Sequence, residues 1–308
     1  MKIVILVDYC DSSPPVSLEN CKNRFQLYAY MLYKHIKDSY AEITFNHIGS
    51  PCVNNADHTI IIGDNSHRPD FGKVMTLGIS NVSHQGEDMM FYMDNCCNDR
   101  TNTIYIGWLN DPTELYPDKD DTLHVLIQNP YKECKLYDKI VNTMTKVKNK
   151  HKITVGILSN NYYRNLNTNS ITVLDNYKVR YEIIRKSHVY ILTSNMFDRE
   201  LLYNFAMCNT LIVTNDTFIS PKILNDVDCL FYDDDISWKD IVSRVKHINS
   251  RERIIKLKTA EHAITKMVGF MEPFDDSERS SESNDVIIHK IKKDRRPTLL
   301  QSELRSMR

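Results

Sequence analysis

The chain has 308 residues, a formal net charge of −1 at pH 7, 42% hydrophobic residues and 26% charged residues. That length holds one or two domains with sizeable cores, and the composition is that of a soluble globular enzyme. A charge so near zero gives no electrostatic case for nucleic acid or an anionic membrane as partner.

No apolar run approaches the roughly 18 residues of a membrane span. The opening MKIVILVDYC meets a polar, proline-containing loop too early for a signal peptide and reads as a first core strand. The eight cysteines, at 10, 21, 52, 96, 97, 134, 208 and 229, include no CxxC pair. They read as reduced thiols of a cytoplasmic protein. Glycine is scarce, at 8, while Asn, Lys, Ile and Tyr abound, a bias that fits an AT-rich genome such as a viral one.

In chain order, 2–7 is an apolar strand followed by a loop with Pro14-Pro15. The loop lacks GxGxxG, so no dinucleotide fingerprint is present. Residues 19–37 repeat Phe25, Tyr28, Leu32 and Ile36 at helical spacing. Strands are expected at 42–46, 59–62 and 104–106, with 73–77 and 88–93 read as strand or short helix. Another buried strand, LHVLI, covers 123–127, and 137–147 is a helix. The basic run KVKNKHK (146–152) reads as a solvated boundary between two domains, and 152–158 as the first strand of the second. A polar loop with Tyr162, Tyr163 and Arg164 then precedes a strand at 171–174.

The stretch 177–233 organises the rest. It reads as helix (179–186), strand (188–192), helix (198–208), strand (211–213), short helix (220–225) and strand (229–232). Continuous apolar strands alternating with helices predict a parallel sheet covered on both faces. Such sheets bind ligands beyond the carboxyl ends of their strands, so the expected site loops are 193–199 and 214–218. Helices at 238–248 and 251–267 close the domain. From 272 the chain is charged and Ser-rich, a composition expected to be disordered. Its KIKKDRR cluster (290–296) is a candidate targeting or partner-binding element.

Residues 204–266 resemble the carboxyl-terminal half of GT-B-fold glycosyltransferases, in particular the group-1 enzymes and the spore-maturation CgeB-like branch. The resemblance is carried by Phe205-Ala206-Met207-Cys208-Asn209-Thr210, Val213-Thr214-Asn215-Asp216, Leu230-Phe231-Tyr232 and Arg251-Glu252-Arg253. The pattern in 106–131, IGWLNDPTELYPDKDDTLHVLIQNPY, resembles the end of the amino-terminal domain of CgeB-like proteins. The resemblance implies two Rossmann-like α/β domains facing a central cleft. Residues 1–150 would form the acceptor-side domain, 151–272 the nucleotide-sugar (donor) domain, and 273–308 a disordered tail. It implies metal-independent transfer of a sugar from a nucleotide diphosphate donor to a glycan, protein or small-molecule acceptor, with no cofactor beyond that substrate.

Such transfer needs a positive field for the diphosphate leaving group and a base for the acceptor hydroxyl. The carboxylate with which the family holds the ribose falls on Asn204, and the Arg or acid that often precedes it falls on Leu201 or Met196. Arg199 and Glu200 lie nearby and could serve with a shifted register. Arg164 and Arg180 are diphosphate candidates, and Thr214 and Asn215 follow a buried strand at its carboxyl end. Base candidates are His84 and Asp88, in SHQGED, and Asp111, which an Asx turn would equally explain. The DDD run at 233–235 resembles a metal-binding DxD but is expected to favour the helix N-terminus that follows it, so no metal is assigned. Two alternatives remain: a glycosyltransferase-like binding or scaffold protein without a working donor site, and a GT-B-fold sugar-nucleotide epimerase.

Overall fold

A computed structural model describes residues 2–8, 14–38, 42–47, 56–63, 73–78, 89–92, 103–107, 109–130, 135–194, 199–215, 218, 227–232, 236–257, 259–269 and 271. Met1–Met267 form one compact unit; of the second, Val268–Arg308, only the first few residues are described.

The first sheet contains β1 (Lys2–Val7), β2 (Glu42–His47), β3 (His58–Ile62), β4 (Lys73–Gly78), β5 (Met89–Tyr92) and β6 (Thr103–Tyr105), in the order β2-β1-β3-β4-β5-β6. All neighbours are parallel. The two segments left open between strand and helix are both strands. Helix α1 (Arg24–Ile36) packs on β1 and β3. It starts later than the periodicity suggests, because the Asn23 side chain caps it by accepting from the Gln26 N–H at 2.9 Å.

The second sheet contains β7 (Leu123–Gln128), β8 (Ile153–Leu158), β9 (Tyr162–Asn165), β10 (Ser170–Val173), β11 (Val189–Ile191), β12 (Leu211–Thr214) and β13 (Cys229–Phe231). Their order is β10-β9-β8-β7-β11-β12-β13. Five are parallel, and β9 and β10 add an antiparallel hairpin at one edge. Helix α2 (Lys135–Lys150) links β7 to β8. Val125, Ile127, Ile140, Met144, Val155, Val189 and Val213 form the core on the α2 face. On the other face Tyr190 stacks on Phe205 of α4 (Arg199–Met207), with ring centroids 4.1 Å apart.

Three expectations change here. LHVLI does not end the first sheet. It is β7, paired with β8 and β11 in the registers Val125↔Val155 and Val189↔Val125, so the second sheet begins before residue 150. The basic run is consequently the last turn of α2 leading into β8, both inside the second sheet. The polar loop after β8 is half strand, because Asn169, at φ 57°, turns the chain back into the hairpin. The last helix is also split. Thr259 accepts from the His262 N–H at 3.4 Å and starts α7 (Ala260–Val268), after α5 (Trp238–Val245) and α6 (Ser250–Leu257). The expected helix at 220–225, the DDD run and the tail lie outside the described residues.

The segment between β6 and β7 ties the two sheets together. Ala260 N–H donates to the Asn110 carbonyl at 2.7 Å, and Asp118 N–H to the Arg185 carbonyl at 3.1 Å. The Arg251 guanidinium donates to the carbonyls of Pro112 at 3.0 Å and Met207 at 2.7 Å, and also to that of Leu115. Tyr177, at the start of α3 (Tyr177–Lys186), donates its N–H to the Cys21 carbonyl at 2.9 Å.

Candidate functional site

In the second sheet β7 lies between its sequence successor β8 and the later β11. That is a topological switch point, the place at the carboxyl edge where open α/β sheets bind ligands. At this edge Gln128 is buried, and its Oε1 accepts from the N–H groups of Thr193 at 3.0 Å and Ser194 at 3.2 Å. The Thr193 hydroxyl donates to the Gln128 carbonyl at 3.0 Å. One strand further, Asn215 Nδ2 donates to the Tyr232 carbonyl at 3.2 Å, and the Tyr232 hydroxyl to the Leu192 carbonyl at 2.6 Å. Thr214 is fully buried and donates to the Asn215 carbonyl at 3.1 Å. The carboxyl edge is thus polar and internally bonded.

Helix α4 rises from this edge. Its Glu200 is buried and reaches α1 of the first sheet. Glu200 Oε2 lies 2.9 Å from Arg24 Nε and accepts from the Tyr28 hydroxyl at 2.8 Å. Burial raises the Glu200 carboxyl above its ordinary range, against the opposing pull of Arg24, Tyr28 and Arg180. The Tyr28 hydroxyl is raised by burial and by the Glu200 charge. One turn along α4, Asn204 is 3% exposed and its Oδ1 has no hydrogen-bond partner among the described residues. Tyr181 of α3 is fully buried, and its hydroxyl likewise has no partner among the described residues.

The turn that ends α4 has a specific requirement. Asn209 sits at φ 52°, and Thr210 N–H returns to the Phe205 carbonyl at 3.0 Å, a Schellman closure. Asparagine tolerates this left-handed position better than most residues. Its Oδ1 accepts from the Arg251 N–H at 3.0 Å, and its carbonyl accepts from Lys119.

The candidates chosen from the sequence fall in several places. Glu200, Asn204 and Arg180 share the α3–α4 region. The Arg180 guanidinium lies 5.1 Å over the Tyr177 ring and donates to the Asn160 carbonyl at 2.6 Å. Arg199 is exposed at the first position of α4. Thr214 ends β12 at the carboxyl edge and Asn215 follows it. Arg164 lies on β9 and donates to Asn169 Oδ1 at 2.7 Å within its own hairpin. Asp111 is 1% exposed, accepts from Thr113 N–H and hydroxyl at 2.8 Å each, and pairs with Lys34 at 2.9 Å. Burial raises its carboxyl, but Lys34 and Thr113 outweigh that and hold it below its ordinary value. The side chain therefore serves the Asx turn and is a poor proton acceptor near neutrality. His84 and Asp88 lie outside the described residues.

Sequence reasoning passed over Arg24, Tyr28 and Gln128. The signals were faint: a polar residue ending an apolar strand, and an Asn-Arg start to an amphipathic helix. Among the described residues no group of three or more His, Cys, Asp or Glu is placed to hold a metal ion, and no helix is long and apolar enough to cross a membrane.

No family model and no curated protein matches the chain by sequence. Solved structures do match by shape. A glycosyltransferase involved in avilamycin A biosynthesis aligns over 88% of this chain and 97% of its own, with TM-score 0.55 and 11% identity. A sucrose-phosphate synthase from Thermosynechococcus elongatus aligns over 87% of this chain and 98% of its own, with TM-score 0.50 and 9% identity. The fold is GT-B. At such identities the likeness extends to this fold: two α/β sheets, each with a switch point at its carboxyl edge.

Proposed function

We propose that the chain is a glycosyltransferase that moves a sugar from a nucleotide diphosphate donor to an acceptor hydroxyl, with the donor at the carboxyl edge of the second sheet. The observation that supports this reading is Asn204. Its buried amide oxygen has no partner among the described residues and stands where the resemblance implies a ribose-binding carboxylate. An amide oxygen accepts a ribose hydroxyl as a carboxylate does, without the added strength of charge. Thr193, Thr214 and Asn215 stand at the adjoining carboxyl edge, and the N-terminal dipole of α4 with Arg180 and Arg199 favours the diphosphate. The acceptor proton passes to a base from the first half, for which His84 and Asp88 are the remaining candidates. No metal is assigned. The CgeB-like branch, a cytoplasmic location and a viral source belong to the same proposal.

A second reading has its own support. Arg24, from the first half, pairs with Glu200 at the very helix start that would face the diphosphate. A chain that has lost donor binding and acts as a binding or scaffold protein would keep such a closed contact.

The deciding experiment is a thermal-shift panel on the full chain with UDP-, GDP-, ADP- and CDP-sugars, with and without Mg²⁺. A donor at 100 times its Kd stabilises by about 2.7 kcal/mol, a rise of roughly 4–5 °C for a chain of this size. A shift with one nucleotide, indifferent to Mg²⁺ and lost in Asn204→Ala, supports transfer. A flat response to all four favours the binding protein.

A further inference from the structure

The α3 face of the second sheet carries a groove of about 330 Å³ between the β9–β10 hairpin and α3. It lies on a sheet face, away from the carboxyl edge that holds the proposed donor site. Leu126, Val179 and Ile183 give it an apolar floor. Tyr163 on β9 and Thr172 on β10 are paired residues of the antiparallel ladder and therefore point to the same face. Asn165 follows at two-residue spacing on that face.

Tyr163 owes its position to a glycine. A Cβ on Gly156 of β8 would stand 2.2 Å from Tyr163 Cε2 and 2.9 Å from its Cζ. Only a bare backbone lets the ring settle there, and the ring then forms one wall of the groove. Asn165 uses its Oδ1 for the N–H groups of Asn167 and Thr168, at 2.8 and 3.3 Å, which leaves its Nδ2 as a donor. Glu182 and Lys186, one turn apart on α3, supply one acceptor carboxylate and one donor ammonium. Their charges cancel, and His124 is held by Asp120 at 3.1 Å.

We propose that this groove binds a single uncharged sugar residue. Its size is at the lower end of the roughly 300–1,000 Å³ of ligand clefts, which suits one small ring rather than a nucleotide. Its cancelling charges give no field for a phosphate. An aromatic wall, an apolar floor and alternating donors and acceptors match a molecule with one apolar face and a rim of hydroxyls. The inference does not rest on the activity proposed above.

The test is saturation-transfer-difference NMR on the full chain with the methyl glycosides of glucose, galactose, mannose and N-acetylglucosamine. Two variants accompany it. Tyr163→Leu keeps an apolar cover over Gly156 but removes the aromatic wall, and Thr172→Lys fills the groove from an exposed strand position. Circular dichroism melts establish that both fold. The expected result is transfer to at least one glycoside, with Kd about tenfold higher in Tyr163→Leu and binding lost in Thr172→Lys. The response to nucleotide-sugars should be the same in all three proteins, which separates this site from the donor site. Absence of transfer with all four glycosides overturns the proposal, and so does transfer that is unchanged in both variants.

Discussion

Arg24 and Glu200 come from different halves of the molecule and meet at 2.9 Å, the arginine 28% exposed and the carboxylate 5%. That asymmetry sets the energetics. Arginine keeps part of its hydration, whereas Glu200 has exchanged nearly all its water for Arg24 and the Tyr28 hydroxyl.

Removing the arginine should therefore hurt more than removing the acid. Arg24→Met takes the close arginine from a buried carboxylate and leaves the weaker pull of Arg180; it should cost about 2–4 kcal/mol, somewhat below the usual cost of breaking a buried pair, because Arg24 is partly solvated. Glu200→Gln retains an acceptor for Tyr28 and lets Arg24 turn to water, at about 1 kcal/mol. The double variant should be more stable than Arg24→Met alone. Urea denaturation of the four proteins provides the check, and simple additivity would show that the pair is not coupled.

A second pair of elements predicts a pH dependence. His188 accepts the His124 N–H on its Nδ1 at 3.2 Å. Burial, then the Lys119 ammonium and His124, lower its pKa to about 4, with Asp120 opposing. The folded state thus binds fewer protons than the unfolded chain, whose imidazole titrates near about 6.5. This contribution is complete above that value and is lost as pH falls toward 4. Lys119, lowered by burial to about 8, stays charged across the window and adds no slope. Glu200 has the opposite sign: its raised carboxyl stabilises at low pH and loses that contribution as pH rises through the folded value. Only the difference between parent and variant isolates the histidine. His188→Asn, which keeps an acceptor near Nδ1, should flatten the fall in melting temperature between about pH 6.5 and 4. Parallel curves for parent and variant would assign the slope elsewhere.

The glycine under Tyr163 gives a steric prediction. Gly156→Ala places a methyl inside the ring's present position, but the atoms met are the far end of a side chain that can swing away. The cost should be about 1–2 kcal/mol, with the fold retained. Tyr163→Ala in the same chain removes the obstruction, so the second substitution should harm Gly156→Ala less than it harms the parent. Melting curves of the four proteins decide it. Equal losses from Tyr163→Ala in both backgrounds would mean that the ring does not rest on that glycine.

The sequence announces its strands through composition and conceals their partners. TIII, LIV and LHVLI read as buried strands because apolar residues dominate them, with one polar residue each in the first and last. Which sheet LHVLI joins depends on hydrogen bonds to strands that lie on either side of the assumed boundary. The hairpin was hidden because YYRN has neither an apolar run nor clean alternation, and its turn uses Asn169 in place of glycine. Within the site, Asn204 and its neighbour Glu200 are reached through the resemblance to GT-B enzymes, and Thr214 and Asn215 through their place after a buried strand. Arg24 and Tyr28 are reached by neither. Tyr28 and Glu200 are separated by 172 residues, and nothing local to α1 distinguishes an arginine at a helix start from a solvated one.

The same geometry explains why an amide stands at 204. Residues 200 and 204 are one helical turn apart and share a face, and both are buried. With Glu200 ionised, a second carboxylate at 204 would add a like charge with no arginine of its own. Asn204→Glu should therefore destabilise the chain by about 2–4 kcal/mol. The exchange Glu200→Asn with Asn204→Glu carries one acid again and should recover part of that loss, to the extent that Arg24 can follow the charge along α4. Denaturation midpoints measure the recovery, and the nucleotide-sugar panel repeated on the exchanged protein asks where the acid is needed. A stronger response to one donor would mean that the carboxylate had been moved into the ribose position. An exchanged protein less stable than Asn204→Glu alone would show that Glu200 is fixed at its position by Arg24 and Tyr28, and that like-charge repulsion is not what excludes an acid from 204.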